Sequence, residues 1–446
     1  MGLRLLKRGL FWNSRKDKGE FLVRYQAPRG TQDIVPNERP YWDCITRRSE
    51  EIARTFGYRR IETPLFERAE LFERGVGSGT DIVEKETYTF NDRGGERLTL
   101  RPEGTAPVCR AYLEGGMYTL PQPVRLYYFC PIFRYERPQA GRYRQHHQFG
   151  VEAIGDADPM LDAEVIELGW RFLTNGLGLE NLVLQINTIG CPNCRPLYLD
   201  MLRTHYFPSV TAEQVCPECR IRFQHNLLRT LDCKRIDFVC QSLADTAPAP
   251  SEHLCSDCAS HWATLKNYLN VLNIPFQVIN RLVRGLDYYT RTVFEIQPRN
   301  VIGSQNTILA GGRYDGLIEE IGGKPTPAVG FGCGLERLIL NMKQQKIPIP
   351  KELYLDAMVI SLDDTVQEIS VNLASELRSQ GLKVIIAPSV KSSRGQMRQA
   401  ASSKASYALL LGQDELSRGT VQVKNMDNGE QTEIKMRDVF EFISQG

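Results

Sequence analysis

An arginine, an aspartate and two adjacent tyrosines stand in "LVRGLDYYTRTVFEI", residues 282 to 296, where a buried strand would favour valine. The β-branched and aromatic residues from Tyr288 to Ile296 predict a strand. Its alternation puts Tyr288, Thr290, Thr292, Phe294 and Ile296 on one face and Tyr289, Arg291, Val293 and Glu295 on the other. Neither face is plainly apolar. A second stretch, "FRYERPQAGRYRQHHQFGVE" at 133 to 152, sets Arg134, Arg137, Arg142 and Arg144 around a Pro/Gly loop, with Tyr135, Tyr143, His146 and His147 interleaved. Guanidinium forks match phosphate oxygens and aromatic rings stack on bases, although a solvated hairpin tip would carry the same residues. A third, "AVGFGCGLERLIL" at 328 to 340, places glycines on alternate strand positions and then opens a helix bearing Glu336 and Arg337. Glycine admits a ligand or a second backbone, and an arginine near a helix N-terminus suits an anion. No GxxxxGK[ST] sequence occurs, which disfavours a P-loop nucleotidase.

The elements that must position these residues follow from pattern. Residues 38 to 56 have helical spacing, and "RLTLRPEGT", 97 to 105, reads as a strand ending at a turn. "VRLYYFCPIFRYE" and "HQFGVEAIG" read as two strands joined by a polar loop; "DAEVIELGWRFLTNGL" reads as an amphipathic helix and "NLVLQINTIG" as a further strand. Strands paired through a loop point to a largely antiparallel sheet. From about Cys191 to Asn270 the pattern changes to an inserted, cysteine-rich and helical module, after which strands resume. "KQQKIPIPKELYL" has two Ile-Pro pairs that disfavour helix and reads as a linker over 343–355. Beyond it "AMVIS", "TVQEISVNLASELRSQG", "KVIIA" and "YALLL" alternate strand and helix, as a separate small α/β domain with a parallel or mixed sheet would.

The composition is that of an ordinary globular chain: 446 residues, 42% hydrophobic, 24% charged and a formal net charge of only +2. Any affinity for nucleic acid must therefore come from local basic patches. No apolar run approaches the roughly 18 residues of a membrane helix, which leads us to expect no membrane partner and a cytoplasmic protein. Residues 1–24 are basic, a frayed tail in preference to an organelle-targeting remnant. Of twelve cysteines, eight lie between Cys191 and Cys258: the pairs Cys191/Cys194, Cys216/Cys219 and Cys255/Cys258, with Cys233 and Cys240 between. C-x-x-C pairs suit tetrahedral zinc, but the 21 residues between Cys194 and Cys216 exceed the usual spacing of roughly 15 to 20. Reduced thiols are the preferred reading and structural zinc the alternative, so no metal ligand is assigned.

Arg134 within "FRYE" and Arg337 within "GFGCGLER" resemble the second and third signature motifs of class II aminoacyl-tRNA synthetases. "RGLDYYTRTVFE" and "LAGGRYDGL", the latter at 309 to 317, resemble the two signatures peculiar to histidyl-tRNA synthetase, and the chain as a whole resembles the bacterial type. The resemblance runs from about Gln26 to the C-terminus. It implies an α+β catalytic domain over 25–342 with a mainly antiparallel six-stranded sheet, interrupted by the 191–270 insertion, and an α/β anticodon-binding domain over 356–446. It further implies a homodimer, with the first class motif near residues 38 to 64, and ATP with Mg2+, L-histidine and histidine tRNA as ligands.

The resemblance also implies roles. Arg134 would hold the α-phosphate, Arg337 the outer phosphates, and Arg284 the reacting carboxylate and α-phosphate. Glu103, Gly104, Thr105 and Gln148 match positions that bind the amino acid, with Glu152, Tyr288, Tyr289 and Tyr314 around its imidazole. Arg142 and His146 match adenine-side positions, His146 standing where phenylalanine is common, and Gln139 and Arg144 match loop positions that meet the tRNA acceptor end. The rival is a synthetase-like regulatory subunit of histidine biosynthesis. Such paralogues typically lack the C-terminal domain and depart from the motif arginines, whereas this chain retains both. A zinc-bound nucleic-acid-binding protein built on the cysteine module would not explain the ATP and histidine motifs.

Overall fold

The computed structural model describes residues 25–446 apart from 78–79, 81, 140, 207–212, 234, 236, 300–306, 350–354, 389–391 and 446. The basic tail at 1–24 lies outside the described residues. The chain divides into two compact units, Met1–Pro348 and Ile349–Gly446.

In the first unit the strands are β1 (Arg59–Arg60), β2 (Phe66–Arg68), β3 (Tyr88–Asn91), β4 (Arg97–Leu100), β5 (Val124–Phe133), β6 (Gln145–Ile154), β7 (Leu182–Thr188), β8 (Phe276–Val278), β9 (Thr290–Pro298), β10 (Leu309–Arg313) and β11 (Ala328–Gly334). Eight of them form one sheet in the order β1-β5-β6-β11-β10-β9-β7-β8. Its six inner strands are antiparallel throughout, as expected, and the short β1 and β8 add one parallel neighbour at each edge. β2, β4 and β3 make a separate small antiparallel sheet. β5 and β6 pair from Val124↔Ile154 to Phe133↔Gln145, so the arginine-rich loop between them is a hairpin tip.

Helix α1 (Arg39–Thr55) buries Trp42, Ile45, Ser49 and Ala53, residues three or four apart and hence on one face. Helix α2 (Thr105–Glu114) follows β4, and α3 (Pro159–Arg171) follows β6. The helix expected from residue 162 begins at Pro159, because the Asp158 carboxylate caps the Met160 amide at 2.8 Å and proline presets the first helical φ. The insertion carries α4 (Arg195–Tyr206), α5 (Pro217–His225) and α6 (Ser256–Val271). Helix α7 (Leu335–Gln344) follows β11 and enters the segment read as linker; the division between units falls at Pro348/Ile349.

One expected strand start moves. Tyr288 and Tyr289 precede β9, which opens at Thr290, and Arg291 has φ +49. The positive φ breaks simple alternation, and the β9–β10 register shifts at Gly312/Arg313. Both tyrosines are therefore free of the two-face rule that the sequence suggested.

The second unit is built on β12 (Leu355–Ser361), β13 (Val384–Ile386), β14 (Ala405–Leu411), β15 (Thr420–Asn425) and β16 (Gln431–Lys435), in the order β13-β12-β14-β15-β16. β12 is parallel to both neighbours and the last two pairings are antiparallel, the mixed sheet expected. Helices α8 (Gln367–Ser379) and α9 (Ser393–Ser402) lie between its strands in sequence.

A buried ion pair ties the first unit's sheet to its helices. Arg313 and Asp162 are both fully buried. The Arg313 Nε donates to Asp162 at 3.0 Å, an Nη also donates to that carboxylate, and the other Nη donates to the Asp156 carbonyl at 2.8 Å. Removing one partner strands the other charge, at a loss of about 3–5 kcal/mol. Asp162→Ala should lower the urea midpoint accordingly, and the double variant Asp162→Leu/Arg313→Met should recover most of the loss. A double variant no better than the single would show that packing, not the stranded charge, sets the loss.

Candidate active site

The floor of the first unit's polar pocket is made where β6 meets β11. Gly330 faces Glu152 and Gly334 faces Gln148 across this pairing. A Cβ at Gly330 would lie 1.9 Å from Glu152 Oε2, and one at Gly332 would lie 1.8 Å from Gln148 Nε2. The alternate glycines of β11 therefore make room for two polar side chains of β6. Gln148 lines the cavity. Glu152 lies beneath it, accepting hydrogen bonds from Thr105 Oγ1 at 2.8 Å, Tyr128 Oη at 3.1 Å and the Tyr314 hydroxyl. Burial raises its pKa to about 8 against the pull of these hydroxyls.

On one wall, Glu103 accepts from the amides of Thr105 at 2.7 Å and Ala106 at 2.8 Å, the first turn of α2. That end of a helix stabilises a carboxylate, but burial still leaves the Glu103 pKa raised. Tyr288, Tyr289 and Tyr314 cluster opposite, with ring centroids 4.7 Å apart for the adjacent pair and 5.6 Å for Tyr288 and Tyr314. Gly104 and Glu152 do not line the cavity. At Gly104 the reason is steric: its Cβ position points at the Tyr128 ring, 2.5 Å away, so the glycine seats Tyr128 and Tyr128 in turn supports Glu152.

Three arginines from separate elements meet in this pocket. Arg134, at the foot of the hairpin, donates from Nε to the Pro102 carbonyl at 2.7 Å. Arg337, in the first turn of α7, donates to the carbonyls of Gly141 at 3.1 Å and Thr307 at 2.9 Å. Its pKa is pulled down by burial and then by the neighbouring Arg142 and Arg134, the signature of cations crowded where an anion would relieve them. Arg284 is ion-paired with Glu295, whose other oxygen accepts from Thr307 Oγ1 at 2.6 Å. Burial opposes the Arg284 charge, and the Glu295 carboxylate outweighs it and raises the pKa. Among the described residues, Arg284 Nε has no hydrogen-bond partner despite its burial.

Arg142 and His146 also line the pocket. Burial, then Arg134 and Arg337, lower the His146 pKa to about 3, so its ring is neutral and can stack without adding charge. Gln139 and Arg144 lie outside the cavity on the hairpin; Gln139 is exposed and bridges to Arg142, while the Arg144 guanidinium sits 3.8 Å over the Tyr135 ring. Sequence reasoning missed Glu295 and Glu336. Glu336 accepts from the backbone amide of His147 at 2.9 Å and contacts its Nδ1 at 3.0 Å, pinning α7 to β6. Glu295 had one signal: a carboxylate on the strand face it shares with Val293.

Two family models match the chain: "Histidyl-tRNA synthetase" over residues 30–192 and 224–338, and "Anticodon binding domain" over 356–446. A histidine–tRNA ligase of Dehalococcoides mccartyi strain 195 is 52% identical over 412 residues, 92% of this chain and 97% of the relative. That of Pelotomaculum thermopropionicum is 47% identical over 418 residues, 94% and 97% of the two chains. The solved apo histidyl-tRNA synthetase of S. aureus matches with a TM-score of 0.79 at 35% identity, covering 94% of this chain and all of that one.

The perturbed Glu152 carboxyl makes stability depend on pH. Its pKa rises from about 4.3 unfolded to about 8 folded, so the unfolded chain releases this proton first and the stability contribution falls as pH climbs between those values. Glu152→Gln should thus gain in melting temperature relative to the parent between about pH 5 and about pH 9. A difference that stays constant over that range would show that Glu152 is ionised throughout.

Proposed function

The chain belongs to the histidyl-tRNA synthetase family, and we infer that its polar pocket activates L-histidine with ATP to histidyl-adenylate. The histidine is then transferred to the 3′ end of its cognate tRNA, with release of pyrophosphate in the first step and AMP in the second. The observation that carries this reading is the convergence of Arg134, Arg284 and Arg337 on one cavity that also holds Glu103, Gln148 and the tyrosine pair.

The α-carboxylate of histidine is ionised near neutral pH, so its attack on the α-phosphorus of ATP needs no general base. It needs alignment and neutralisation of charge on the phosphoryl oxygens as pyrophosphate departs. Arg134 takes the α-phosphate and Arg337 the outer phosphates. Arg284, fixed by Glu295, bridges the reacting carboxylate and the α-phosphate. ATP arrives with Mg2+ on its phosphates, as part of the substrate. Pocket carboxylates are already engaged, Glu103 by helix amides, Glu295 by Arg284 and Glu336 by His147.

Histidine is read by hydrogen bonds. Glu103, Thr105 and Gln148 face the amino-acid end, and Tyr288 and Tyr289 face the imidazole; Tyr314 and Glu152 hold this wall from below. An apolar amino acid would leave these buried polar groups unpaired, which discriminates strongly. His146 stacks on adenine beside Arg142, and Gln139 and Arg144 on the hairpin meet the acceptor end of the tRNA. The second unit reads the anticodon, and the active form is a cytoplasmic homodimer. Structural zinc, where present, belongs to the cysteine module and takes no part in these steps.

The regulatory-subunit alternative is disfavoured by the three retained arginines and by the second unit. Histidine-dependent ATP–pyrophosphate exchange, followed by charging of histidine tRNA, separates the two. The parent chain should do both, and Arg284→Ala should lose at least ~10² in exchange, the scale of an electrostatic stabiliser. Absent exchange in the folded parent would favour the regulatory reading; near-parental exchange in the variant would remove Arg284 from the chemistry.

A further inference from the structure

The eight cysteines of the insertion do not gather as neighbours in sequence. Cys191 and Cys194 meet Cys255 and Cys258, while Cys216 and Cys219 meet Cys233 and Cys240, each set with its four sulfurs within 4.8 Å of one another. The Sγ separations are 3.6 Å for Cys191/Cys194, 3.9 Å for Cys191/Cys255, 3.8 Å for Cys194/Cys255 and 3.8 Å for Cys216/Cys233. A tetrahedron with Zn–S bonds of about 2.3 Å has edges of about 3.8 Å. A disulfide would bring two sulfurs to about 2.05 Å, and all eight thiols are free. A multi-iron cluster would spread its four ligands over several metal atoms, so this spacing fits one ion per set.

The surroundings agree. The amides of Cys191 and Cys216 donate to Cys194 Sγ and Cys240 Sγ, both at 3.2 Å, and the Cys219 amide donates to Cys216 Sγ at 3.4 Å, so backbone donors surround the sulfurs as outer partners of a metal site do. The second set is also most of a small core: Val215, Cys216, Cys219, Cys233 and Cys240 are its buried members. A core that small and that rich in cysteine needs a staple.

Both sets frame residues that touch the loop carrying Arg284 and the tyrosines. Arg195, next to Cys194, donates to the Tyr289 carbonyl. Asn226 and Arg229 lie between Cys219 and Cys233; Asn226 donates to Asp287, and Arg229 to the Arg284 carbonyl at 3.4 Å. We propose that the insertion binds two zinc ions through two tetrathiolate sites, Cys191/Cys194/Cys255/Cys258 and Cys216/Cys219/Cys233/Cys240, and that they hold the back of the 284–289 loop. The metal sites stand independently of the activation reading, whereas their effect on the loop rests on it.

Elemental analysis of the full chain, purified under reducing conditions, should give two zinc ions per chain. Cys255→Ser and Cys233→Ser should each reduce this to one, and cobalt substitution should give thiolate-to-cobalt charge-transfer absorption. Fewer than two zinc ions in the parent, or iron in their place, would overturn the assignment. For the loop, Arg195→Met leaves all eight ligands intact and removes the donor to Tyr289. In pyrophosphate exchange it should raise the histidine KM about tenfold, the scale of one charge-assisted hydrogen bond, with the ATP KM and the zinc content unchanged. A histidine KM equal to the parent's, or an equal rise in both constants, would overturn the brace. A parent that holds two zinc ions but shows no exchange would instead count against the activation reading alone.

Discussion

The pocket depends on what β11 lacks. Across most of a sheet each strand fills the space beside its neighbour with its own β-carbons, and polar side chains are pushed to the surface. At Gly330 and Gly332 that space is empty, and Glu152 and Gln148 of β6 occupy it. An alanine at either position would place carbon inside the van der Waals radius of a polar atom. The cost of weaker packing in the middle of an antiparallel sheet is accepted so that two hydrogen-bonding groups can lie under a cavity.

Two buried arginines show how the same fold treats charge differently by location. Arg313 is saturated by a carboxylate and backbone carbonyls, with Asp162 equally buried, so it has nothing to offer a ligand. Arg284 has a carboxylate partner too, but it lines the cavity. An ion pair away from any cavity holds elements together, and one at a cavity wall keeps a cation within reach of an anion. Both residues sit within signature-like stretches, so proximity to a motif alone would not have told them apart.

Much of this arrangement was legible in the sequence, for reasons that differ by element. The hairpin between β5 and β6 was visible because two alternating runs flank a Pro/Gly loop, and α1 because its apolar residues recur at helical spacing. The α/β rhythm of the second unit was visible from short apolar runs divided by amphipathic ones. The start of β9 was not. Tyr288 and Tyr289 have strong strand propensity, but Arg195 holds the Tyr289 carbonyl and Arg291 turns to positive φ, so tertiary contact overrides local preference. Gly104 was assigned by its match to a family position, and in the structure the ring of Tyr128 packs where its Cβ would stand. Glu295 was legible only as an oddly placed carboxylate, since its meaning lies in a partner eleven residues away.

The cysteines show the limit of spacing arguments most clearly. Taken in order, Cys194 and Cys216 are too far apart for a common zinc ribbon, which favoured unpaired thiols. The fold pairs the first C-x-x-C with the last and encloses the middle set, a nested arrangement that no linear window detects. Nesting has a mechanical consequence. The outer set closes the neck of the insertion beside β7, and the inner set encloses a segment that reaches back to the 284–289 loop. The 284–289 loop is consequently gripped from behind by the insertion while Arg284, Leu286, Tyr288 and Tyr289 line the pocket. A loop that must hold a guanidinium and two phenols in fixed relation is seated on one side by the core that Tyr288 and Tyr289 join, and the insertion adds polar anchors to its backbone from the other.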